Sequence, residues 1–499
     1  MKQRALFLVT LLAAPALWLG GLWVFDGVRV VGGLLLLGLL FSPRLRAVAV
    51  PGLGRERWVL GAWLALYFAL LVAHMLARLH LGVQGIDFAI FSQVVDSIAR
   101  TGAATCTLAL TETPNFLWHH FTPVLYLPGA LTWLGLPAPV AAVLVHAGGA
   151  AVGFGALFAV AQRSLGWTCA AAVVVTAVLS SAVRTELFWG LHDETFALAF
   201  VGLTLWAWLR GHFGQAALAA VLCGTCKESF FPFMAWFGVL ALVFHRDFHE
   251  ALTAPRARRA FGPLILLGLV GTVTYFFLQP LLHGRRFDHL DKLATLEVLL
   301  SPGVLAQKVV FMGTVLVGSC GLGLLTRKGR IVLATMLPLV GIVWISGYAE
   351  MWRPFGYYAL VPSVLGFFAA VVSLETLKVQ RPWLLSAPAL VFAVCLALSF
   401  TTNLPVRDVA RALRDDGLSA SQLAWVPAEA RVVADPGAAL ALLRTTGLRR
   451  LHHVGLMSEL PPFDYVVLRP GGYEPLPENL ERATRPCHPS GNWVVRCPL

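Results

Sequence analysis

Residues 65–93, ALYFALLVAHMLARLHLGVQGIDFAIFSQ, decide between a soluble and a membrane fold. The stretch is apolar and helix-compatible for long enough to span a hydrocarbon core about 30 Å thick, which takes roughly 20 residues. Its first acid, Asp87, stands just beyond the end of the run. About thirty residues that are polar, aromatic and rich in Thr follow it. Comparable runs recur to about Phe400 in a chain of 499 residues, of which 58% are hydrophobic and 13% charged. That is about half the charge of an ordinary soluble domain, and the mean hydropathy is +0.75. The runs are continuous rather than alternating, which specifies helices and not a β-barrel.

The periodicity places membrane helices near 5–24, 27–42, 58–80, 138–161, 168–184, 193–210, 213–226, 229–245, 261–281, 304–325, 331–348, 355–375 and 382–400, a total of about thirteen. The first, behind Lys2 and Arg4, lacks a small-residue cleavage site and reads as a helix rather than a signal peptide. The net charge of +12 does not point to nucleic acid, because the basic residues sit in short loops between apolar runs. The positive-inside rule puts those loops in the cytoplasm. With the N-terminus inside, the 81–120 loop, the RTELFWGLHDE, KES and EMWRPFGYY turns, the 282–303 loop and everything after Phe400 fall on the extracytoplasmic side. Residues 120–135, broken by Pro123 and Pro128, read as an interfacial or re-entrant helix that keeps this parity.

Four regions are therefore expected: N-terminal membrane helices over 1–80, a first large extracytoplasmic loop with interfacial helices over 81–137, a helical membrane core over 138–400, and an extracytoplasmic tail over 401–499. In the tail, ARVVADPGAALALLRTTGLRRLHHVG reads as strand, turn, helix, strand, and FDYVVLRP as a further strand, giving a small α/β domain. Cys487 and Cys497 would pair in an oxidising compartment. Cys223 and Cys226, a CxxC inside an apolar run, read as packing rather than zinc or redox chemistry. GxxxxGK[ST], HExxH and GxSxG are all missing from the sequence.

Five polar clusters fall on the expected extracytoplasmic side, and each has a bland reading beside a chemical one. Asp87 is a helix-end cap or a general base. His120, in NFLWHHFTP, is a headgroup anchor or a proton-exchanging ligand. His192, Asp193 and Glu194 open a membrane helix, whose dipole favours acids there. They also suit Mg²⁺ or Mn²⁺. Lys227 and Glu228 cap a helical hairpin, or Lys227 offers a point charge to a phosphate. Arg353 and Tyr357, in EMWRPFGYY, form part of an aromatic belt, or present a planar fork and ring faces to a phosphate and a sugar.

The succession IDFAIFSQVVDSIARTG, HHFTPVLYLPGAL, LFWGLHDETFALAF, CGTCKESFFPFMAWFGVLAL, RPFGYYALVPSVLGF and VPAEARVVAD…FDYVVLRP resembles the bacterial and archaeal membrane proteins grouped as domain of unknown function 2079. The likeness runs from about Gln84 to about Pro470. It departs at Thr122, where that family usually has Ser, and at LHDE, where it usually has Phe-His-Pro. The family in turn is similar to the multi-pass glycosyltransferase-C superfamily, which uses polyprenyl-phosphate-linked sugars and carries an essential acid in its first large extracytoplasmic loop. That resemblance implies that Asp87 deprotonates an acceptor, while His192, Lys227 and Arg353 hold the donor phosphate, with or without a divalent cation.

The expected protein is thus an all-α polytopic inner-membrane protein, glycosyltransferase-C-like, with a small α/β tail. Its partners would be the bilayer, a lipid-linked donor and an unidentified acceptor. A transporter or flippase of a polar lipid or solute, and a non-catalytic scaffold, are the rivals.

Overall fold

The computed structural model describes residues 56–108, 115–118, 120–282, 295–317, 319, 321–352, 356–377, 405–414, 420–445, 450–453, 462–469, 478–488 and 493–499. The expected spans at 5–24, 27–42 and 382–400 lie outside them, as do His119 and Arg353. In chain order the helices used below are α1 (Glu56–His80), α2 (Ile86–Thr101), α3 (Tyr126–Trp133), α4 (Ala138–Leu165), α5 (Trp167–Leu179), α6 (Ser181–Trp189), α7 (Asp193–Arg210), α8 (Phe213–Gly224) and α9 (Phe230–Val243). They continue as α10 (Ala254–Val273), α11 (Pro302–Val317), α12 (Arg327–Ala334), α13 (Leu337–Ile345), α14 (Leu360–Leu377) and α15 (Pro436–Thr445). The strands are β1 (Arg431–Ala434), β2 (Arg450–His453), β3 (Tyr465–Leu468), β4 (Thr484–Pro486) and β5 (Val494–Pro498).

Two compact units emerge: a helical one from the residues up to Phe68, Gly149–Trp189 and Asp193–Leu404, and a mixed one from Ala69–Gly148, Gly190–His192 and Pro405–Leu499. Among the described residues Ala138–Leu165, Ala254–Leu278 and Tyr357–Leu377 are long and apolar enough to cross a membrane, and α12 with α13, bent by 52°, make a fourth if they form one broken span.

In the helical unit α14 is the central element. Every residue from Leu360 to Leu374 is buried, as expected for a helix apolar on all sides. Close approach of backbones supplies much of the packing, because small residues let membrane helices gain dispersion contacts without a solvent-driven force. A Cβ on Gly268 of α10 would lie 2.5 Å from the Ala235 nitrogen of α9, and one on Gly202 of α7 would lie 3.0 Å from the Gly153 Cα of α4.

Two expected spans are interrupted. The helix read over 168–184 breaks at Ser180, which is extended (ψ 140°), with its hydroxyl donating to the Ala177 carbonyl at 2.8 Å. A serine that satisfies backbone locally competes with the helical ladder. The chain then resumes as α6. The span read over 331–348 bends between α12 and α13, where the Thr335 hydroxyl donates to the Val332 carbonyl at 2.6 Å and Pro338 enters the first turn of α13 without an N–H. By contrast α7 starts and stops where the sequence places it, opened by two acids and closed by Gly211 at φ +80°.

In the mixed unit the parallel strands β2, β1 and β3 continue into antiparallel β5 and β4, in the order β2-β1-β3-β5-β4. Helix α15 makes the β1 to β2 crossover that parallel pairing requires. Val433, Val466, Leu468 and Leu480 form its buried core, with Phe463 packed against them. Cys487 and Cys497 are joined by a disulfide, their Cα atoms 5.7 Å apart. The remainder of this unit includes α2 and α3, packed so closely that a Cβ on Gly129 would lie 2.6 Å from Ile98. The 81–120 stretch, read as a loop with interfacial helices, is thus built around the amphipathic helix α2, with Phe88, Phe91, Val94, Val95 and Ile98 inward.

Candidate active site

Asp87 occupies the first turn of α2, and Gly85 before it supplies no side-chain cap. A carboxylate there is favoured by the helix dipole by about 0.3–1 kcal/mol. Its side chain is 52% exposed, and its Oδ2 lies 3.5 Å from Nε2 of His192, whose side chain is only 11% exposed. A buried imidazole facing an exposed carboxylate is more than a cap needs. The carboxylate keeps its access to solvent, and the ring lies within ion-pair reach of it.

Lys227 has the opposite setting. It lies in the turn between α8 and α9, with its side chain 8% exposed, and its Nζ is 2.7 Å from Glu194 Oε1 and 3.7 Å from Asp193 Oδ2. The same ammonium stands 5.3 Å from the Tyr357 ring and 5.1 Å from the Tyr358 ring, and those two rings pack at 4.3 Å. Buried charge survives in an apolar bundle only when paired, and this lysine is compensated by two carboxylates and two π-faces. Glu228 beside it is 2% exposed. A small cavity of about 20 Å³ opens next to the group, lined by Glu194, Ser229, Tyr358 and a mainly apolar wall that includes Phe230, Leu339 and Ile342.

The KES and LHDE turns thus meet, as the sequence leads one to expect, although the partner of Lys227 is protein rather than open space. Asp193 and Glu194, read as candidates for Mg²⁺ or Mn²⁺, hold an ammonium in that place, and among the described residues no group of three or more His, Cys, Asp or Glu is arranged to bind a metal. Consecutive residues of one turn serve different groups: His192 faces Asp87, whereas Asp193 and Glu194 face Lys227. His120 packs its ring on Phe116 at 5.7 Å, and Phe116 meets Phe91 of α2 edge-on at 5.9 Å. Arg353 lies outside the described residues.

Two residues escape a reading of the sequence alone. Gln93 is 4% exposed and its amide holds the segment from Cys106 to Leu108 through Oε1 and Nε2. Its signal is a lone amide on the apolar face of FAIFSQVV. Lys308 is 1% exposed and donates to the carbonyls of Trp344 at 2.6 Å and Ser346 at 3.1 Å, with the Trp352 ring 4.6 Å away. A single cation inside PGVLAQKVVFMGTVLV is the available sign.

No curated protein matches this sequence. Among solved structures, ArnT from Cupriavidus metallidurans bound to undecaprenyl phosphate superposes with a TM-score of 0.52 at 14% identity, covering 88% of this chain and 98% of that one. ArnT from the same organism in the apo state gives 0.47 at 15% identity over 88% and 98%. The Archaeoglobus fulgidus oligosaccharyltransferase in the apo form gives 0.39 at 12% identity over 77% and 64%. The first of these shows a shared fold, which in this chain is mostly helical with a small C-terminal sheet. Residues 78–434, well over half of the chain, match the family model described as "Predicted membrane protein (DUF2079)", and the chain belongs to that family of membrane proteins.

Proposed function

We propose that the protein is a membrane glycosyltransferase that takes its sugar from a polyprenyl-phosphate-linked donor on the extracytoplasmic face of the inner membrane. The observation that carries this reading is the accessible Asp87 carboxylate with His192 3.5 Å away. The fold shared with ArnT, a protein whose structure holds undecaprenyl phosphate, supports it. So does the Cys487–Cys497 disulfide, which belongs in an oxidising compartment and fits an extracytoplasmic tail behind about thirteen spans with the N-terminus inside.

In the proposed step Asp87 accepts the proton of an acceptor hydroxyl as that oxygen attacks the anomeric carbon. The bond from that carbon to the phosphate oxygen breaks, and the polyprenyl phosphate carries away the bonding electrons. His192 orients the carboxylate. Lys227 and Arg353 supply positive charge to the leaving phosphate, and Tyr357 offers a ring face to the sugar. His120 and Glu228 shape the polar surroundings. A phosphate leaving group departs near neutral pH without a strong acid, so one base and a cationic clamp suffice.

Buried charges inside a bundle also mark transport pathways, and the Lys227 group is the one observation that favours a transporter or flippase. A radiolabelled-sugar transfer assay in membranes separates these readings. Loss of transfer in Asp87→Asn with normal protein levels supports the base. Wild-type transfer in that variant refutes the base, whereas no transfer that depends on the wild-type protein leaves the transporter or a scaffold.

A further inference from the structure

In a parallel sheet an outer strand presents unpaired backbone groups that must be covered or solvated. Among the described residues strand β2 is such an edge, paired only with β1. Its Leu451 is covered by the side chain of Thr107, 344 positions earlier in the chain. The Thr107 hydroxyl donates to the Leu451 carbonyl at 2.5 Å and accepts from the Leu451 N–H at 3.0 Å. It also accepts from Nε2 of Gln93 at 2.9 Å. One donor and two acceptor sites are all that a hydroxyl possesses, so Thr107 is saturated by the sheet edge on one side and by α2 on the other. Gln93 completes the link by accepting from the N–H groups of Thr107 at 3.0 Å and Leu108 at 3.1 Å.

A second tie reaches the other side of Asp87. Arg469, directly after β3, donates from Nη1 to the carbonyl of Gly82 at 3.0 Å. Gly82 is the left-handed turn residue (φ +64°) between α1 and α2. Its carbonyl also lies against Gly437 at the start of α15, where a side chain would collide with it. The Arg469 main chain is itself fixed, since its N–H donates to the Asp435 carboxylate. Helix α15 also packs on α2.

We propose that the C-terminal sheet is a positioning device for the proposed base: Thr107 at the β2 edge and Arg469 after β3 latch the turn and helix that carry Asp87, so the tail sets where that carboxylate stands. The inference rests on the reading of Asp87 as base for its consequence, and on contacts within one compact unit for its mechanics. A misplacement of about 1 Å in a reacting group can lower a rate by two orders of magnitude, so a latch remote from the chemistry is worth having.

Hydrogen–deuterium exchange on the purified full-length protein tests the mechanics, with Thr107→Val, Thr107→Ser and Arg469→Met beside the wild type. Thr107→Val and Arg469→Met are expected to speed exchange across α2 by about tenfold or more while β3 and β5 stay protected, and Thr107→Ser to restore wild-type protection. Unchanged α2 exchange in Thr107→Val, which loses only a hydroxyl at the sheet edge, overturns the proposal even if Arg469→Met disrupts the tail more widely.

In the transfer assay the same variants are expected to lower kcat by about tenfold with KM for the lipid-linked donor within about twofold. Loosened α2 with unchanged kcat overturns the positioning role. Wild-type transfer in Asp87→Asn removes the base itself, a failure separate from either outcome for the latch.

Discussion

Two groups of ionisable side chains, one in each compact unit, share their chemistry and differ in solvation. The Asp87 carboxylate meets an imidazole at 3.5 Å while half of its side chain faces solvent. The Lys227 ammonium meets two carboxylates and two tyrosine rings with under a tenth of its side chain exposed. Exposure lets the first group exchange a proton with a visiting molecule at little structural cost. Burial commits the second to its partners, because an uncompensated charge in a low-dielectric interior costs several kcal/mol. Removing a residue from the first group should therefore damage function and spare the fold, whereas removing one from the second should damage the fold in addition to its proposed part in transfer.

The largest effect expected is on rate. Asp87→Asn should reduce transfer by roughly 10²- to 10⁴-fold, the range for loss of a general base, with a melting temperature within about 2 °C of wild type because the site is exposed and only surface-level stability changes are expected there. A large fall in melting temperature would place Asp87 with the structural group and erase the contrast.

Lys227→Met should act in the opposite sense. It leaves Glu194 and Asp193 buried without their cation, and breaking such a group costs about 3–5 kcal/mol. Thermal unfolding in detergent measures this, and Glu194→Gln, which keeps the shape but removes one charge, should cost less. A Lys227→Met protein as stable as the wild type, yet inactive, would move Lys227 into the reacting group and sharpen its role as a phosphate clamp.

The sequence makes the second group partly legible. Three consecutive ionisable residues at a membrane boundary and a Lys-Glu pair between two apolar runs both demand partners, and the LHDE and KES turns do meet. Charge in an apolar chain is costly enough to announce itself, but its solvation is a tertiary property, so the burial of Lys227 is not readable. For the same reason the parity of the spans puts His192 and Asp87, 105 positions apart, on one expected face but gives no sign that they pair. Elements with strong local boundaries are legible: α7 between its acids and Gly211, and the strand, helix and strand of the tail. The breaks at Ser180 and Thr335 are not, because a hydroxyl turning onto its own backbone leaves hydropathy unchanged. Gln93, Thr107 and Arg469 escape notice because each acts on backbone groups of a segment distant in sequence.

Disulfide removal should have a smaller effect, confined to the tail. Cys487 and Cys497 close a loop of ten residues, for which the chain-entropy model gives about 2–3 kcal/mol. Replacing both with Ser should lower the denaturant midpoint of the tail without altering the exchange protection of α14. Alkylation of these cysteines in native membranes without reductant would show them reduced and count against an extracytoplasmic tail.

The smallest effect expected is a pH dependence that originates at Asp435. This carboxyl is 3% exposed and burial raises its pKa above 3.8, although N–H groups of Ala438 and Arg469 and the nearby guanidinium pull in the other direction. A folded-state pKa above the unfolded value means that the native tail holds this proton more tightly than the unfolded chain does. The contribution is therefore fully present below the unfolded pKa and is lost as pH rises through the raised one. Calorimetric midpoints of the wild type should fall relative to those of Asp435→Asn as pH increases from about 4 to about 7, and Asp435→Asn should flatten that part of the profile. A difference curve sloping the other way would mean that the hydrogen bonds outweigh burial. Asp435 would then act as an ionised anchor for Arg469, and the tail would gain rather than lose stability as pH rises through the carboxylate range.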